Sequence, residues 1–248
     1  MPKASFSAPA LAEDSLYYHN DAFGSRILVR VLRRYIGQRT LEVGAGVGHI
    51  TSQLAAHARE VVAIEPNRTL FAELQENTNH LSNVTVFNMT LEEFSHAHEK
   101  KLTTSAAYFD SIVYVNVLEH IEDDKKELSR AKQVLRGEGL VLIMVPAHPW
   151  LYCKSDRLSG HFRRYTRRGL QQLIKSSGLR CEHLRYFDSI GLIPYLVLYK
   201  WFRCVATTGA NANIYSRLIL PLSLGIYRAT AGQLIGKNLV AVAQKTAN

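Results

Sequence analysis

The stretch that most constrains the fold is 41–50, LEVGAGVGHI, in which an apolar segment runs into three alternating glycines. The apolar residues predict a buried strand, and the residues after the glycines predict the start of a helix. A strand–glycine turn–helix unit lets a ligand approach bare backbone while helix N–H groups point at it. The spacing departs from the dinucleotide fingerprint G-x-G-x-x-G, because His49 stands where the third glycine belongs. We therefore expect a nucleotide-like cofactor, with a purely structural turn as the alternative.

Apolar segments alternate with segments of helical periodicity along the rest of the chain. A helix is predicted to begin near Asp123 and to end at the glycines of 137–139. Strands alternating with helices form a parallel sheet, and such sheets bind ligands at the carboxyl ends of their strands. The five predicted strands of this sheet are Thr40–Val43, Glu60–Ile64, Val84–Asn88, Phe109–Val115 and Leu140–Val145.

The composition limits the classes of partner. The net charge is +9, from 30 Lys and Arg against 21 Asp and Glu, which suits an anionic partner or simply solubility. The arginines are scattered and no known RNA-binding module is present, so we expect no nucleic-acid partner. Three distant cysteines without a CxxC pair predict reduced thiols and no metal site. Without an apolar leader or an 18-residue apolar run, the sequence predicts a cytoplasmic protein.

An acidic residue follows the second predicted strand. Glu65 lies 21 residues after Gly44, close to where an acidic side chain meets a ribose in nucleotide-binding sheets. A carboxylate at the end of a strand can accept hydrogen bonds from both ribose hydroxyls. Ribose binding is therefore the favoured interpretation, and a surface glutamate that caps the next helix is the alternative.

Three motifs resemble those of class I S-adenosylmethionine (SAM) dependent methyltransferases. Glu42-x-Gly44-x-Gly46-x-Gly48 looks like motif I, and residues 109–124, FDSIVYVNVLEHIEDD, resemble motif IV and the turn after it. Residues 135–146, LRGEGLVLIMVP, are also similar, and the resemblance extends over about 40–180. It implies an α/β fold, a Rossmann-like three-layer sandwich with a seven-stranded, mostly parallel sheet. In that fold strand 7 runs antiparallel between strands 5 and 6, and the cofactor is SAM.

The resemblance also implies individual contacts. The residue matching Asn116 faces the methionine part of SAM and the acceptor. The residue past strand 3 is usually an Asp that touches the adenine amine, and Thr90 stands there in this chain. The predicted cofactor-binding residues are Glu42, Gly44, Ala45, Gly46, Gly48, Glu65, Pro66, Thr90, Leu91, Asn116 and Val117.

The segment after strand 5, residues 146–166, is rich in His, Arg and aromatic residues. It resembles a subset of methyltransferase type 11/12 proteins. We interpret it as an acceptor pocket; the alternative is a packed loop in which Asp156 pairs with an arginine. A base is needed only if the acceptor loses a proton, and neutral imidazole is available near pH 7. The catalytic candidates are His120, His148 and His161, and the substrate-binding candidates are Trp150, Tyr152, Arg164 and Tyr165. The aromatic pair Tyr17 and Tyr18 would either cover the ligand or act as a hydrophobic staple.

The whole of 1–248 is predicted to form one methyltransferase domain, with a loose tail over 1–14 and an apolar helical insertion over 189–235. The insertion could form a lid, a homodimer face or a peripheral membrane contact. We expect methyl transfer to an O, N or C atom of a small aromatic or heterocyclic metabolite. The alternatives are a lipid or polyprenyl-linked acceptor, an NAD oxidoreductase, which the glycine spacing disfavours, and a non-enzymatic protein with the same fold.

Overall fold

The computed structural model describes residues 22–98, 109–197 and 215–246. Strands and helices alternate along these residues, as the hydrophobic periodicity predicts. The strands are β1 (Arg39–Val43), β2 (Glu60–Ile64), β3 (Val84–Phe87), β4 (Phe109–Val115), β5 (Leu135–Pro146), β6 (Leu179–Phe187) and β7 (Asn238–Lys245). The helices are α1 (Ala22–Leu32), α2 (His49–Ala55), α3 (Arg68–Thr78), α4 (Leu91–Ala97), α5 (Asp124–Val134), α6 (Lys154–Leu158), α7 (Arg167–Ser176), α8 (Leu192–Tyr195) and α9 (Leu220–Thr230).

The seven strands form one sheet in the order β3-β2-β1-β4-β5-β7-β6. β1 to β5 pair in parallel, and β7 pairs antiparallel with both β5 and β6. This confirms the predicted seven-stranded sheet and the antiparallel position of strand 7. The chain order reverses between β1 and β4, and the crevice at such a reversal is where open α/β sheets bind their ligands.

Helices cover both faces of the sheet, which gives three layers. Successive residues of a strand point to opposite faces, so Ile112 packs in one core and Val113 in the other. The first core joins the strands to α4, α5 and α7, through residues such as Leu128 and Leu170. The second joins them to α1, α2 and α9, through residues such as Ile27 and Leu220. Both faces of the central strands are therefore buried, as the continuous apolar runs predict.

The junction between α5 and β5 corrects one prediction. The helix ends at Val134, and the strand begins directly at Leu135 rather than after the glycines of 137–139. Leu135 pairs with Phe109 whereas Leu140 pairs with Ser111, so the residues between them form a bulge. Glu138 has a φ of 62° there, in the left-handed region. The chain therefore bends at Glu138, and Gly139 beside it has little room for a side chain, because a Cβ there would come within 3.2 Å of Phe109 O.

The insertion between β6 and β7 is helical where the structure describes it, with α8, a π-helical turn at Tyr215–Ile219 and α9. Buried Asp188 holds it: its carboxylate accepts hydrogen bonds from Ser223 Oγ at 2.8 Å and from Gly191 N–H at 3.0 Å. Within the described residues, no helix has both the length and the apolar character that a membrane crossing requires. The predicted loose tail over 1–14 lies outside the described residues.

Candidate functional site

The glycine loop joins β1 to α2 and packs against two neighbouring elements. Gly44 has a φ of 69°, and a Cβ there would come within 2.7 Å of Val117 Cγ2. Gly48 has a φ of 93°, and a Cβ there would come within 2.9 Å of Leu74 Cδ1. Both positions need glycine because the left-handed backbone and the close packing exclude a side chain. These two glycines thus allow the loop after β4 and α3 to pack closely against the glycine loop.

The middle glycine is different because it faces open space. Gly46 has a φ of 57°, but a Cβ built on it would meet no described atom within 4 Å. The left-handed backbone by itself favours glycine at this position. The open space beside the backbone of Gly46, which we call the cradle, leaves room for the cofactor that the sequence predicts.

Glu65 at the end of β2 closes one side of the cradle. Its Oε2 accepts a hydrogen bond from Gly46 N–H and its Oε1 accepts one from Asn67 N–H, both at 2.9 Å. Burial raises the pKa of this carboxyl, and the two backbone N–H groups act in the opposite direction. The cap of α3 is Asn67, whose Oδ1 accepts from Thr69 N–H and Leu70 N–H, so Glu65 is not the helix cap.

Glu42 lies deeper, below the same loop. Its Oε2 accepts a hydrogen bond from the hydroxyl of Thr51 at 2.6 Å, and both residues are buried. Burial raises the pKa of Glu42 to about 8, and the negative charge of Glu65 adds to this, against the effect of the Thr51 hydrogen bond. Glu42 is therefore protonated at neutral pH, and a cation bound in the cradle would favour its ionised form.

The residues after β3 have structural uses that sequence reasoning did not assign. Thr90 and Glu93 form a capping box at the start of α4: Thr90 Oγ1 accepts from Glu93 N–H, and Glu93 accepts from Thr90 N–H. Leu91 is buried in the core. The cofactor contacts predicted for Thr90 and Leu91 therefore gain no support from their side chains, since one caps a helix and the other packs inside. Asn88 was missed, and its amide donates to the carbonyls of Glu65 and Pro66.

Asn116 lies at the end of β4, on the same edge as the cradle. Its N–H donates to Met144 O of β5 at 2.9 Å, and its φ of 55° is left-handed. An Asn in this conformation at a strand end turns the chain out of the sheet. Val117 then lies against Gly44, which joins the loop after β4 directly to the cradle.

The segment after β5 is organised by one buried carboxylate. Asp156 Oδ1 accepts from Arg164 Nε at 2.7 Å and lies 2.9 Å from His161 Nδ1, and Oδ2 accepts from Cys153 N–H at 2.9 Å. Burial opposes ionisation of Asp156, but these partners outweigh it and lower the pKa of the carboxyl. The alternative of an ion pair between Asp156 and an arginine is therefore present in the structure.

This network includes two of the predicted substrate-binding residues, Arg164 and Tyr165. The Arg164 side chain is only 5% exposed and is paired with Asp156. The Tyr165 hydroxyl donates to Leu118 O at 3.0 Å and lies 2.9 Å from Asp124 Oδ2. With their polar groups buried and occupied by these partners, Arg164 and Tyr165 hold the segment against the loop after β4.

Two of the predicted histidines meet beside a carboxylate that sequence reasoning missed. The rings of His120 and His161 lie edge to face, with centroids 4.6 Å apart. Glu119 is 1% exposed, and its Oε2 has no hydrogen-bond partner among the described residues. Burial raises the pKa of Glu119 to about 7 and lowers that of His120 to about 4. We call these three residues the acceptor cluster, and only their closeness in the folded chain reveals it.

His148 is not part of the acceptor cluster. Its Nε2 lies 3.0 Å from Gly236 O, and its ring stacks on Tyr186 with centroids 5.3 Å apart. Trp150 is 54% exposed and packs beside His148, so it remains a candidate for stacking on a substrate. The Tyr152 hydroxyl donates to His161 O at 2.6 Å. Tyr17 and Tyr18 lie outside the described residues.

Comparison with known families and sequences identifies a methyltransferase domain. The model of a family described as a methyltransferase domain matches residues 18–184. A probable SAM-dependent methyltransferase of Mycobacterium tuberculosis H37Rv is 28% identical over 117 residues, which are 47% of this chain and 39% of that protein. The ubiquinone biosynthesis O-methyltransferase of Glaesserella parasuis is 28% identical over 43% of this chain and 44% of its own length. The chain thus spans less than half the length of these relatives.

A solved structure shows the same fold. The crystal structure of a SAM-dependent methyltransferase from Archaeoglobus fulgidus superposes with a TM-score of 0.60 and 14% sequence identity. The match covers 96% of this chain and 100% of the other. At this level of sequence identity the match shows the shared fold.

Proposed function

The chain belongs to the methyltransferase domain family, and from this premise we propose that it transfers a methyl group from SAM to an oxygen or nitrogen atom of a small acceptor. The observation that carries the proposal is the juxtaposition of two features at one sheet edge. An open cradle at Gly46 lies beside Glu65, and Val117, packed against the same loop, leads within two residues into the acceptor cluster.

The cofactor side is built to fit SAM. The bare backbone at Gly46 admits the cofactor, Glu65 is placed to accept hydrogen bonds from its ribose, and Asn116 directly follows β4, the strand that pairs with β1. SAM, when bound, supplies the electrophilic methyl group. The chain has then to align acceptor and methyl group and to exclude water.

On the acceptor side, an O–H or N–H group that receives the methyl group has to lose its proton. Glu119 and His120 follow Val117 on the loop after β4, and His161 joins them from the turn after α6, so these three side chains are the candidates for this role. Trp150 offers an exposed ring on which a flat substrate can stack. We therefore favour an aromatic or heterocyclic acceptor, in keeping with an O-methyltransferase among the relatives.

A second candidate is a lipid-like acceptor reached at a membrane surface. It is favoured by the exposed side chains of Ile193, Leu218 and Leu222 on the insertion, with Arg217 beside them. Apolar side chains next to a cation suit the boundary between acyl chains and anionic headgroups. Cosedimentation with anionic vesicles that is reversed by salt would favour this candidate over a lid or a homodimer face.

The experiment that tests the proposal is a SAM titration of Gly46→Ala and a matched control, Gly178→Ala. Both glycines have a positive φ, of 57° and 77°, so both variants carry the same kind of backbone strain, about 1–2 kcal/mol. Gly178 follows α7, and a Cβ there meets only the flexible end of Lys132.

We expect the dissociation constant of SAM to rise at least about tenfold in Gly46→Ala and to stay near wild type in Gly178→Ala. A screen of phenols, catechols and aromatic N–H compounds with methyl-labelled SAM then identifies the acceptor. Wild-type SAM affinity in a folded Gly46→Ala protein, or no SAM binding by the wild type, would overturn the proposal.

A further inference from the structure

We infer that Glu119, His120 and His161 bind a divalent transition-metal ion at the acceptor side of the sheet edge. Each residue offers one ligand atom, and these atoms lie within 4.8 Å of one another. Two imidazoles and one carboxylate are a ligand set typical of zinc and iron(II), whereas magnesium and calcium prefer oxygen ligands. The lack of a CxxC pair among the three cysteines predicts no metal site, and the present inference replaces that prediction.

Two loops bring the three ligands together. Glu119 and His120 are neighbours in the short 3-10 helix Leu118–His120 after β4, and His161 comes from the turn after α6. The N–H of Phe162 donates to Glu119 O at 2.7 Å, which holds the two loops in register at this point. The ligands are thus positioned by backbone hydrogen bonds rather than by flexible side chains alone.

A separate observation points to a ligand. Glu119 is 1% exposed, and its Oε2 has no hydrogen-bond partner in the part of the chain that the structure describes. A buried polar oxygen without a partner costs free energy, and nearly all such oxygens in folded proteins are satisfied. A cation between Glu119 and the two imidazoles supplies the missing partner.

The surroundings of the cluster resemble the outer shell of known metal sites. His161 Nδ1 lies 2.9 Å from Asp156 Oδ1, and that carboxylate is itself held by Arg164. An ionised carboxylate can only accept, so Nδ1 carries the proton and Nε2 is left as the metal-binding nitrogen. On the other side, backbone groups of Ser159 and Gly160 hydrogen-bond His120. Hydrogen bonds of this kind orient metal-binding histidines and raise their affinity.

The site has a use that rests on the proposed function. Three protein ligands leave a coordination position open, as in catalytic metal sites, and an acceptor hydroxyl bound there loses its proton more readily. The O–H bond breaks and the proton passes to water. The oxygen lone pair then forms the O–CH₃ bond while the C–S bond of SAM breaks, which leaves a neutral thioether. His161 is in that case a ligand rather than a base.

The test uses the full chain, stripped of metal with EDTA and titrated with ZnCl₂ by calorimetry. The variants are Glu119→Gln and His161→Gln, and the control is His183→Gln, whose ring packs on Tyr35 away from the cluster. We expect one equivalent of Zn²⁺ per chain in wild type and control, and at least about a tenfold weaker site in the two variants. Wild-type zinc binding in either folded variant, or no stoichiometric binding by the wild type, would overturn the inference.

A second measurement needs no variant. Co²⁺ added to the stripped wild type should give visible absorption bands typical of nitrogen and oxygen ligands, and Zn²⁺ should displace them. Absence of such bands counts against the site even if the variants fail to fold. A SAM titration on the same samples separates the two hypotheses: SAM binding without metal binding overturns only the metal site, and metal binding without SAM binding overturns only the proposed function.

Discussion

The two sides of the sheet edge are built in different ways. On the cofactor side, the contacts are made by backbone and by residues that follow β1 and β2 closely in the chain, such as Gly46 and Glu65. On the acceptor side, they are made by side chains from separate loops, such as Glu119 and His161, held by Asp156. A cradle of backbone can serve a constant cofactor, whereas a network of side chains can change with the substrate.

The difference also concerns charge. On the cofactor side, two buried carboxyls, Glu42 and Glu65, have raised pKa values and lie close enough to interact. On the acceptor side, Asp156 has a lowered pKa because Arg164 and His161 outweigh its burial. The first pair is suited to receive a cationic ligand. The second is a compensated ion pair that fixes geometry.

The largest expected effect comes from breaking the acceptor-side network. Asp156→Ala leaves the buried guanidinium of Arg164 without its partner, so the free energy of unfolding should fall by about 3–5 kcal/mol. Urea unfolding followed by circular dichroism measures this. The control is Glu182→Ala, which removes the exposed partner of Arg180 and should cost less than about 1 kcal/mol. Equal stability of the two variants would show that the network does not hold the segment.

The next prediction distinguishes the role of His161 from that of His148 in methyl transfer. His161→Ala should lower methyl transfer about a hundredfold, because the acceptor cluster, which promotes loss of the acceptor's proton, lacks one imidazole in this variant. SAM affinity should stay unchanged. His148→Ala should keep both near wild type, because its ring stacks on Tyr186 outside the cluster. Turnover and SAM titration on the same samples measure this. A loss confined to His148→Ala would return the catalytic role to that residue.

A smaller effect is expected for Glu65→Ala on the cofactor side. Loss of charge-assisted hydrogen bonds to the ribose corresponds to about 1.5–3 kcal/mol, so SAM affinity should fall roughly tenfold or more. Glu60→Ala, at the opposite end of the same strand, serves as the control. Calorimetry gives both dissociation constants. If they agree with wild type, Glu65 only orders the loop through Gly46 and Asn67.

The smallest effect concerns the pH dependence of stability. The pKa of Glu42 is raised to about 8 in the folded chain, so the folded state holds a proton that the unfolded state releases. This contribution is present below the ordinary pKa of a glutamate and is lost as the pH rises towards 8. Glu42→Gln keeps an oxygen for Thr51 and removes the titration. The fall in stability between pH 7 and pH 8 should shrink by about 1 kcal/mol. If the stability of Glu42→Gln depends on pH in the same way as that of the wild type, a group other than Glu42 is responsible for the pH dependence.

The sequence by itself determined the strands, the glycine loop and the place of Glu65, because period-two and period-3.6 patterns and short loops are local properties. β2 and β4 have the predicted bounds. β5 ends one residue later than predicted and begins five residues earlier, at the bulge that depends on pairing with β4. Such pairing is not written in the local pattern of either strand.

The tertiary structure alone decided which polar groups meet. It brought Glu119 and His120 to His161, separated His148 from them, and occupied Arg164 and Tyr165 with buried partners. The physical reason is that these contacts join side chains from distant segments, and their free energies depend on burial and on complete hydrogen bonding. Neither quantity exists until the sheet and its loops have assembled.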